Sequence, residues 1–304
     1  MRIIVIGQAP FGAAVLEKLV DRGDDEVVGV FAPPERRGRP DPLSAKAEEL
    51  GVPLVTVTSM KTDEIYETIV GMKPDIGVMA FVTLIVPERV LNEPTLGTIQ
   101  YHPSLLPKHR GASAINWAII NGEDRTGLTI FWPDKGLDTG PILMQKEAAI
   151  GPDDTVGSVY FNHLFPEGVD AMIESVDLVK AGNAPRIVQD ESQATYEGIC
   201  RPENAELDWQ KDAQTVYNLI RGANPQPAAW GILKGQKIKV FDSELGAGSG
   251  VAGEVLAIEE DGFVVGAGSG SVKIKRVQPP ESRKIPAPEY IEQSGLAVGD
   301  KFGG

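Results

Sequence analysis

Met1-Arg2-Ile3-Ile4-Val5-Ile6-Gly7-Gln8-Ala9-Pro10-Phe11-Gly12 opens this chain of 304 residues and decides its fold class. The apolar run at residues 3–6 is unbroken, which is typical of a strand that is buried on both faces of a parallel sheet. Gly7 ends the run, and apolar side chains then recur at helical spacing over residues 11–20. The stretch therefore predicts a strand, a tight turn and a helix.

The same alternation continues along the chain. Apolar runs and periodic segments predict strands at residues 27–31, 54–57, 76–81, 97–101, 128–132 and 142–150, and helices at 44–50, 63–72 and 155–181. Pro166 is expected to break or restart the last helix. Strands that alternate with helices over short loops favour a Rossmann-like, doubly wound α/β domain with a mostly parallel sheet. We expect this domain to span residues 1–186.

The rest of the chain has a different character. Residues 187–204 are polar and irregular, and we expect them to form a linker. Residues 205–304 contain a short predicted helix at 216–221. Strand-like runs separated by Gly and Ser follow it, at 238–241, 251–258, 262–265 and 272–277. This pattern favours a small β-rich, barrel-like (OB-like) domain with an extended tail from Gln278.

Composition and charge restrict the classes of function. The net charge is −14, and residues 205–304 hold 11 Lys and Arg against 13 Asp and Glu, which disfavours tight binding of nucleic acid. The single cysteine, Cys200, excludes an internal disulfide and a cysteine-based zinc cage, and no metal is expected. No apolar run approaches the roughly 18 residues of a transmembrane helix, and the start is too abrupt for a signal peptide. We therefore expect a cytoplasmic protein without a membrane partner.

The turn at residues 7–12 lies between a strand and a helix, where a phosphate cradle would be. It lacks the middle glycine of the dinucleotide-binding fingerprint, and no Lys-Ser or Lys-Thr pair follows it. A simple strand-to-helix turn is the preferred interpretation, so NAD(P) is not expected as a cofactor.

Two stretches carry chemistry: Gln100-Tyr101-His102-Pro103-Ser104-Leu105-Leu106-Pro107 and Gly136-Leu137-Asp138-Thr139-Gly140. Gln100 and His102 are two residues apart in a predicted strand, so their side chains point to one face. They lie at the carboxyl end of that strand, where open α/β sheets place their active sites. A glycine two residues away on either side of Asp138 lets the backbone bend and present the carboxylate.

A histidine, a carboxylate and an amide donor form a suitable set for acyl chemistry, because they can move a proton, orient the proton carrier and support an oxyanion. The chain has no Gly-x-Ser-x-Gly nucleophile elbow, which favours direct attack by water or an amine over a covalent acyl-enzyme. Spacing alone leaves another interpretation open. In it, His102 is a structural hydrogen-bonder, Asp138 is a turn residue and Gln100 bonds the neighbouring backbone.

At these motifs the chain resembles the 10-formyltetrahydrofolate-dependent formyltransferase family. The resemblance covers nearly the whole chain and is strongest to the N-terminal hydrolase domain of 10-formyltetrahydrofolate dehydrogenase, with similarity also to methionyl-tRNA formyltransferase. The other stretches that carry it lie at residues 5–8, 108–117, 131–132, 164–168, 195–199, 220–222 and 225–230. The resemblance implies the formyltransferase fold and an enzyme of one-carbon metabolism that uses 10-formyltetrahydrofolate.

The resemblance also implies roles for individual residues. His102 matches the family's catalytic acid and base, and Asp138 matches the essential carboxylate that governs its protonation and contacts the folate. Leu84, Ile85 and Val86 match the segment that lines the pterin pocket through its backbone. Apolar walls with exposed main-chain groups suit a flat ring that forms hydrogen bonds.

Gln100 departs from the family pattern. Transferases of the family usually carry Asn two residues before the histidine, and the dehydrogenase's hydrolase domain carries an apolar residue there. Gln retains the amide on a longer side chain, so we expect it to belong to the catalytic set. The departure leaves the choice between transfer and hydrolysis open.

Three functions remain as alternatives. Hydrolase-like removal of the formyl group is favoured, because the resemblance is strongest there. The second is transfer to a small amine acceptor, such as an amino sugar or another metabolite. Methionyl-tRNA is less favoured, since family members that formylate it carry a longer basic loop than residues 33–41 here. The third is a non-catalytic folate-binding regulatory protein. Because the sequence stops at Gly304, we expect no oxidation of the formyl group to carbon dioxide, and the sequence predicts no oligomeric state.

Overall fold

A computed structural model describes residues 1–303 of the chain. Contacts divide these residues into two compact units, each built from segments that are not consecutive in sequence. The first unit comprises Met1–Arg110, Gly127–Ala148 and Asn162–Tyr196, and the second comprises Gly111–Thr126, Ala149–Phe161 and the chain from Glu197 onwards. The predicted domains at 1–186 and 205–304, with a linker between them, are continuous segments, and their boundaries stay a prediction.

One sheet of seven strands runs through the first unit. Its strands are β1 (Arg2–Gly7), β2 (Glu26–Ala32), β3 (Leu54–Thr56), β4 (Ile76–Ala80), β5 (Thr98–His102), β6 (Arg125–Phe131) and β7 (Ile142–Ala149). The strand order is β3-β2-β1-β4-β5-β6-β7. The first five strands pair in parallel, and β6 runs antiparallel to β5. The structure confirms the predicted α/β fold with a mostly parallel sheet.

The helices alternate with the strands in the first unit and are fewer in the second. They are α1 (Ala9–Asp21), α2 (Pro42–Glu49), α3 (Asp63–Met72), α4 (Glu88–Leu91), α5 (Ala114–Ile120), α6 (Val156–Val159), α7 (Phe165–Lys180), α8 (Ala213–Gly222) and α9 (Ala287–Ser294). Pro166 lies in the first turn of α7, which restarts after a π-helical turn at Tyr160–Leu164, as predicted. Within residues 1–303, no helix combines the length and the apolar character that crossing a membrane requires.

β1 lies inside the sheet because it pairs with β2 on one side and β4 on the other. Ile3, Ile4 and Val5 are completely buried, which explains why the strand has no polar face. Gly7 ends the strand beside β4. A Cβ atom at Gly7 would lie 2.1 Å from the carbonyl oxygen of Ala80, so any larger residue would push the two strands apart.

The second unit is β-rich, as predicted. Its strands are β8 (Ala229–Leu233), β9 (Gln236–Val240), β10 (Ser243–Gly246), β11 (Val255–Glu259), β12 (Gly262–Gly266), β13 (Ser271–Ile274), β14 (Arg276–Gln278) and β15 (Ile285–Pro286). They form two four-stranded antiparallel sheets, in the orders β10-β13-β12-β11 and β15-β14-β9-β8. One apolar cluster collects side chains from both sheets and from α8, including Val216, Ile238 and Val265.

Some local predictions in this part are wrong. The tail from Gln278 is not wholly extended, because it contains α9. Pro288 lies in the first turn of that helix, where its missing N–H is not needed, and Gly295 ends the helix with φ +62°. The strand predicted at 251–258 begins only at Val255, since a turn precedes it. Neither α5 nor β8 was predicted from the sequence.

Candidate active site

His102 is the last residue of β5, and its side chain is buried. Its Nε2 atom lies 2.8 Å from the backbone carbonyl oxygen of His109. A carbonyl oxygen can only accept a hydrogen bond, so Nε2 is the nitrogen that carries the proton in this geometry. In a neutral ring, Nδ1 then holds the lone pair, which makes Nδ1 the atom that can accept a proton during a reaction.

Asp138 lies opposite that nitrogen. Its Oδ2 atom is 3.6 Å from His102 Nδ1, and both side chains are buried. This distance exceeds that of a direct N–H···O hydrogen bond but lies within ion-pair range. The two residues that sequence analysis singled out are therefore neighbours in space.

The backbone around Asp138 turns sharply. Asp138 itself has φ +56°, a left-handed conformation that few residues other than glycine adopt. On one side, the Asp134 carboxylate accepts hydrogen bonds from the Gly136 N–H at 2.9 Å and the Thr139 hydroxyl at 2.6 Å. On the other side, a Cβ atom at Gly140 would lie 1.8 Å from the Trp132 carbonyl oxygen, so only glycine fits. These contacts present the Asp138 carboxylate to His102.

Gln100 lies two residues before His102 on the same strand, so the two side chains project from one face. In register it faces Met79 of β4 and Phe131 of β6, and it is half-buried. Within residues 1–303, its side-chain amide forms no hydrogen bond with the protein. This amide can therefore bind a ligand at the sheet edge.

Residues 84–86 follow β4, the strand that pairs in parallel with β5, and they lie at the same edge of the sheet. Leu84 and Val86 are half-buried against an apolar cluster, whereas Ile85 is 72% exposed. Within the described part of the chain, the backbone N–H and C=O groups of these three residues form no hydrogen bond. The segment thus offers an apolar surface together with free main-chain donors and acceptors.

The turn before α1 binds a carboxylate from the protein itself, that of Asp41. The Asp41 carboxylate accepts hydrogen bonds from the Ala9 N–H at 2.9 and 3.1 Å, and one oxygen also accepts from the Leu43 N–H at 2.9 Å. The carboxylate thus lies at the N-termini of both α1 and α2. A dinucleotide phosphate takes this position in a dinucleotide-binding turn.

Arg110 and Gln189 are two further buried polar residues near His102 and Asp138, and the sequence did not predict a role for them. Arg110 donates to Gln189 and to Glu191, and the hydrogen bond to Glu191 raises the pKa of the guanidinium above its ordinary value. No spacing pattern indicates these contacts, because the partners are about 80 residues apart in sequence. Within residues 1–303, no cluster of three or more His, Cys, Asp or Glu side chains is arranged to hold a metal ion.

Comparison with known proteins places the chain in a family. Residues 1–176 match the sequence model described as "Formyl transferase", and residues 200–295 match that of "Formyl transferase, C-terminal domain". The chain belongs to the formyl transferase family. It is an enzyme of that family, and the match extends over both of its characteristic parts.

Several formyl transferase relatives are similar along the whole chain. The cytosolic 10-formyltetrahydrofolate dehydrogenase of Mus musculus is 41% identical over 98% of this chain, which spans 35% of that protein. The chain therefore corresponds to about a third of the length of its dehydrogenase relatives. The methionyl-tRNA formyltransferase of Geotalea daltonii is 36% identical, and the match covers 100% of this chain and 98% of that protein.

Solved structures share the formyl transferase fold. HypX from Aquifex aeolicus, in complex with tetrahydrofolic acid, matches with a TM-score of 0.70 and 21% identity over 98% of this chain and 48% of that one. The sugar 3N-formyl transferase WlaRD matches with a TM-score of 0.68 and 20% identity over 93% of this chain and 99% of that one. At these identities the likeness shows the fold alone.

Proposed function

We propose that this enzyme removes or transfers the formyl group of 10-formyltetrahydrofolate, with His102 and Asp138 as the catalytic pair. The observation that carries the proposal is the buried approach of His102 Nδ1 to Asp138 Oδ2, at 3.6 Å, at the carboxyl edge of the sheet. The donor is inferred from the relatives, since the dehydrogenases carry 10-formyltetrahydrofolate in their names and HypX was solved with tetrahydrofolic acid.

The geometry supports a direct attack without an acyl-enzyme. A water or an amine placed against His102 Nδ1 attacks the formyl carbon, which forms one new C–O or C–N bond and converts the formyl oxygen into an oxyanion. The proton of the nucleophile passes to Nδ1, and the Asp138 carboxylate stabilises the imidazolium. The imidazolium then returns a proton to N10 of the folate as the bond between N10 and the formyl carbon breaks. The products are tetrahydrofolate and either formate or a formylated amine.

Residues 84–86 are proposed to hold the pterin ring. Their unbonded backbone groups match the donors and acceptors on the edge of such a ring, and the exposed Ile85 side chain provides an apolar contact. Because β4 and β5 are adjacent and parallel, this segment and His102 share one edge of the sheet. A folate held there places its formyl group near the catalytic pair.

Gln100 is proposed to support the oxyanion. Its amide shares a strand face with His102 and has no hydrogen-bond partner within residues 1–303. A preorganised donor at such a position stabilises the charge that develops on the formyl oxygen.

Water is the favoured acceptor, because the chain resembles the hydrolase domain of the dehydrogenases, to which it is 38–41% identical over 98% of its length, against 36% for the methionyl-tRNA formyltransferase. The amide of Gln100 favours a second candidate, transfer to a small amine, since an amide at this position is typical of transferases. The fold is equally compatible with an amine acceptor, as WlaRD is a sugar formyl transferase.

Turnover of 10-formyltetrahydrofolate, measured without and with added amines, tests the proposal. Release of formate and tetrahydrofolate without an amine supports hydrolysis. Turnover that requires an amino sugar or another amine, with a formylated product, supports transfer. Folate binding without turnover under all of these conditions would contradict the proposal and support a regulatory role.

A further inference from the structure

Arg110 connects the site to a segment of chain that the proposed mechanism does not use. Its side chain is completely buried, and its guanidinium donates to three side chains of residues 189–196. Nε and Nη2 donate to Gln189 Oε1 at 3.1 and 2.8 Å, Nη1 and Nη2 donate to the Glu191 carboxylate at 3.0 and 2.7 Å, and Nη1 donates to the Tyr196 hydroxyl at 3.0 Å. Because a buried guanidinium needs such partners, this network fixes the Arg110 side chain.

The network fixes the orientation of the Gln189 amide. Arg110 has only donors, so the Gln189 atom that it contacts must be the carbonyl oxygen. The other end of the amide is therefore the NH₂ group. This group donates to the backbone carbonyl oxygens of Asp138 at 2.9 Å and Gly140 at 2.7 Å. Gln189 is buried, so water competes little for these bonds.

These two bonds hold the turn that carries the catalytic carboxylate. Asp138 has the left-handed φ of +56°, a conformation that costs free energy and persists only where surrounding contacts enforce it. The Gln189 NH₂ group binds the carbonyl of Asp138 itself and the carbonyl two residues later. Its loss would let the turn relax and would move the carboxylate relative to His102 Nδ1.

The same segment also reaches His102. The Thr195 hydroxyl accepts from the His109 N–H at 2.8 Å, and the Thr195 carbonyl accepts from the Arg110 N–H at 3.1 Å. The carbonyl of His109 in turn accepts from His102 Nε2. Residues 189–196 therefore form hydrogen bonds both with the turn that carries Asp138 and with His109, whose carbonyl group binds His102.

We propose that Arg110 and Gln189 are positioning residues that set the Asp138 carboxylate against His102 Nδ1. The proposal rests on the proposed function of His102 and Asp138, which neither residue joins as a catalytic group. Gln189→Met tests it directly, because methionine keeps the length and neutrality of the side chain and removes both hydrogen-bonding ends. Gln193→Met is the matched control, since Gln193 lies in the same segment and is exposed, and within residues 1–303 its side chain donates only to Ser192, at 3.4 Å.

The first measurement needs no substrate. The ¹⁵N chemical shifts of the His102 ring, assigned with His102→Ala, report the surroundings of Nδ1, and Asp138→Asn gives the change that follows loss of the carboxylate. We expect Gln189→Met to move the Nδ1 signal in the direction of Asp138→Asn, and Gln193→Met to leave it in place. A Gln189→Met signal that coincides with wild type would overturn the positioning role, even if the chain had no activity on formyl folates.

The second measurement separates positioning from simple destabilisation. We expect Gln189→Met to lower kcat by about tenfold or more while KM for the folate stays within about threefold, because residues 84–86 are unaltered. An unchanged kcat, or a rise in KM alone, would contradict the proposal. If Gln189→Met does not fold, Gln189→Asn, which keeps the amide but shortens it, serves in its place. Wild-type kcat and an unmoved Nδ1 signal in that variant would also overturn the proposal.

Discussion

At the scale of single residues, both ring nitrogens of His102 face oxygen atoms, one from a backbone carbonyl and one from a carboxylate. The carbonyl fixes which nitrogen carries the proton, and in the proposed mechanism the carboxylate stabilises the charge that forms when the other nitrogen accepts one. One partner thus determines the position of the proton on the ring, and the other its charge. Removing either interaction is expected to slow the chemical step and not to unfold the protein.

His102→Ala and Asp138→Asn are each expected to lower turnover of 10-formyltetrahydrofolate by at least about 10²-fold, the usual scale for general acid–base groups. Binding of the folate, measured by fluorescence quenching, should be largely retained, because the pterin is proposed to lie on residues 84–86. His163→Ala is the control, since His163 is partly exposed and its Nδ1 atom lies 4.0 Å from the Glu167 carboxylate. Near-normal turnover in either active-site variant would remove that residue from the catalytic pair.

Gln100→Leu keeps the approximate size of the side chain and removes its amide. If the amide supports the oxyanion, turnover should fall by about 10²–10³-fold, as for other oxyanion donors. Gln100→Asn should give an intermediate rate, or should favour transfer to an added amine over hydrolysis, because its amide reaches less far. Steady-state kinetics of the Leu variant decide the matter: a rate within about threefold of wild type would assign the oxyanion to other donors.

The sequence predicted Gln100 and His102 on one face because strand side chains alternate with a period of two, and the glycines near Asp138 indicated a turn. It could not predict Arg110 and Gln189. Their contact joins residues 79 positions apart, and neither lies in a periodic pattern that places it against the site. Buried polar partners of this kind depend on the tertiary fold, which a local pattern does not contain.

At the scale of elements, one lysine links three parts of a C-terminal sheet. Lys273 of β13 lies 3.4 Å from Glu244 of β10, 2.7 Å from Glu259 of β11, and also contacts Asp261 in the turn after β11. Its hydrogen bond lowers the pKa of the Asp261 carboxyl, and the carboxylates raise the pKa of Lys273. The lysine therefore offsets the mutual repulsion of three acidic side chains on one sheet.

Lys273→Met is expected to lower the Tm by a few degrees at pH 7 and by much less at pH 3. The lowered pKa of Asp261 contributes stability above about pH 4, its usual unfolded pKa, and this contribution is lost as pH falls. The raised pKa of Lys273 depends on ionised carboxylates, so its contribution is present between about pH 4 and about pH 10 and is lost as pH rises beyond that range. Thermal unfolding followed by circular dichroism at both pH values measures the difference.

Lys301→Met is the matched control for this prediction, because Lys301 is half exposed and, among residues 1–303, pairs with Glu254 alone, at 3.1 Å. A single pair of this kind contributes little to stability. Equal decreases in Tm from the two substitutions at pH 7 would show that the Lys273 cluster stabilises the protein no more than a single ion pair does. A decrease from Lys273→Met that is as large at pH 3 as at pH 7 would show that ionised carboxylates are not its cause.

Strands β1, β2 and β4 of the first unit were predictable because each is a nearly continuous apolar run that is buried on both faces of the sheet. The C-terminal elements were less predictable. Proline near residues 286 and 288 suggested an extended tail, yet α9 places Pro288 where a helix tolerates it. Gly231 lies inside β8, and because glycine is unfavourable in the interior of a strand, the sequence did not predict this one. The register of β8 is defined by its pairing with β9.

At the scale of the whole molecule, the charge predicts the acceptor class. With a net charge of −14, the chain is expected to show no specific, salt-sensitive binding of initiator tRNA at physiological ionic strength, because such binding depends on many cationic contacts. Fluorescence anisotropy with labelled methionyl-tRNA, over a series of salt concentrations, measures this. Micromolar or tighter binding, together with formylation of the tRNA, would show that methionyl-tRNA is a better acceptor candidate than water or a small amine.

The Asp41 carboxylate has a consequence for how the enzyme responds to its surroundings. A free phosphate that approached the turn before α1 would compete with an anion that is covalently part of the chain, and tethering gives that anion an effective concentration of millimolar order or above. Displacing it would also uncover the N-terminus of α2, where the same carboxylate accepts from Leu43. A phosphate group would therefore bind at this turn only by displacing the Asp41 carboxylate from the N-termini of two helices at once.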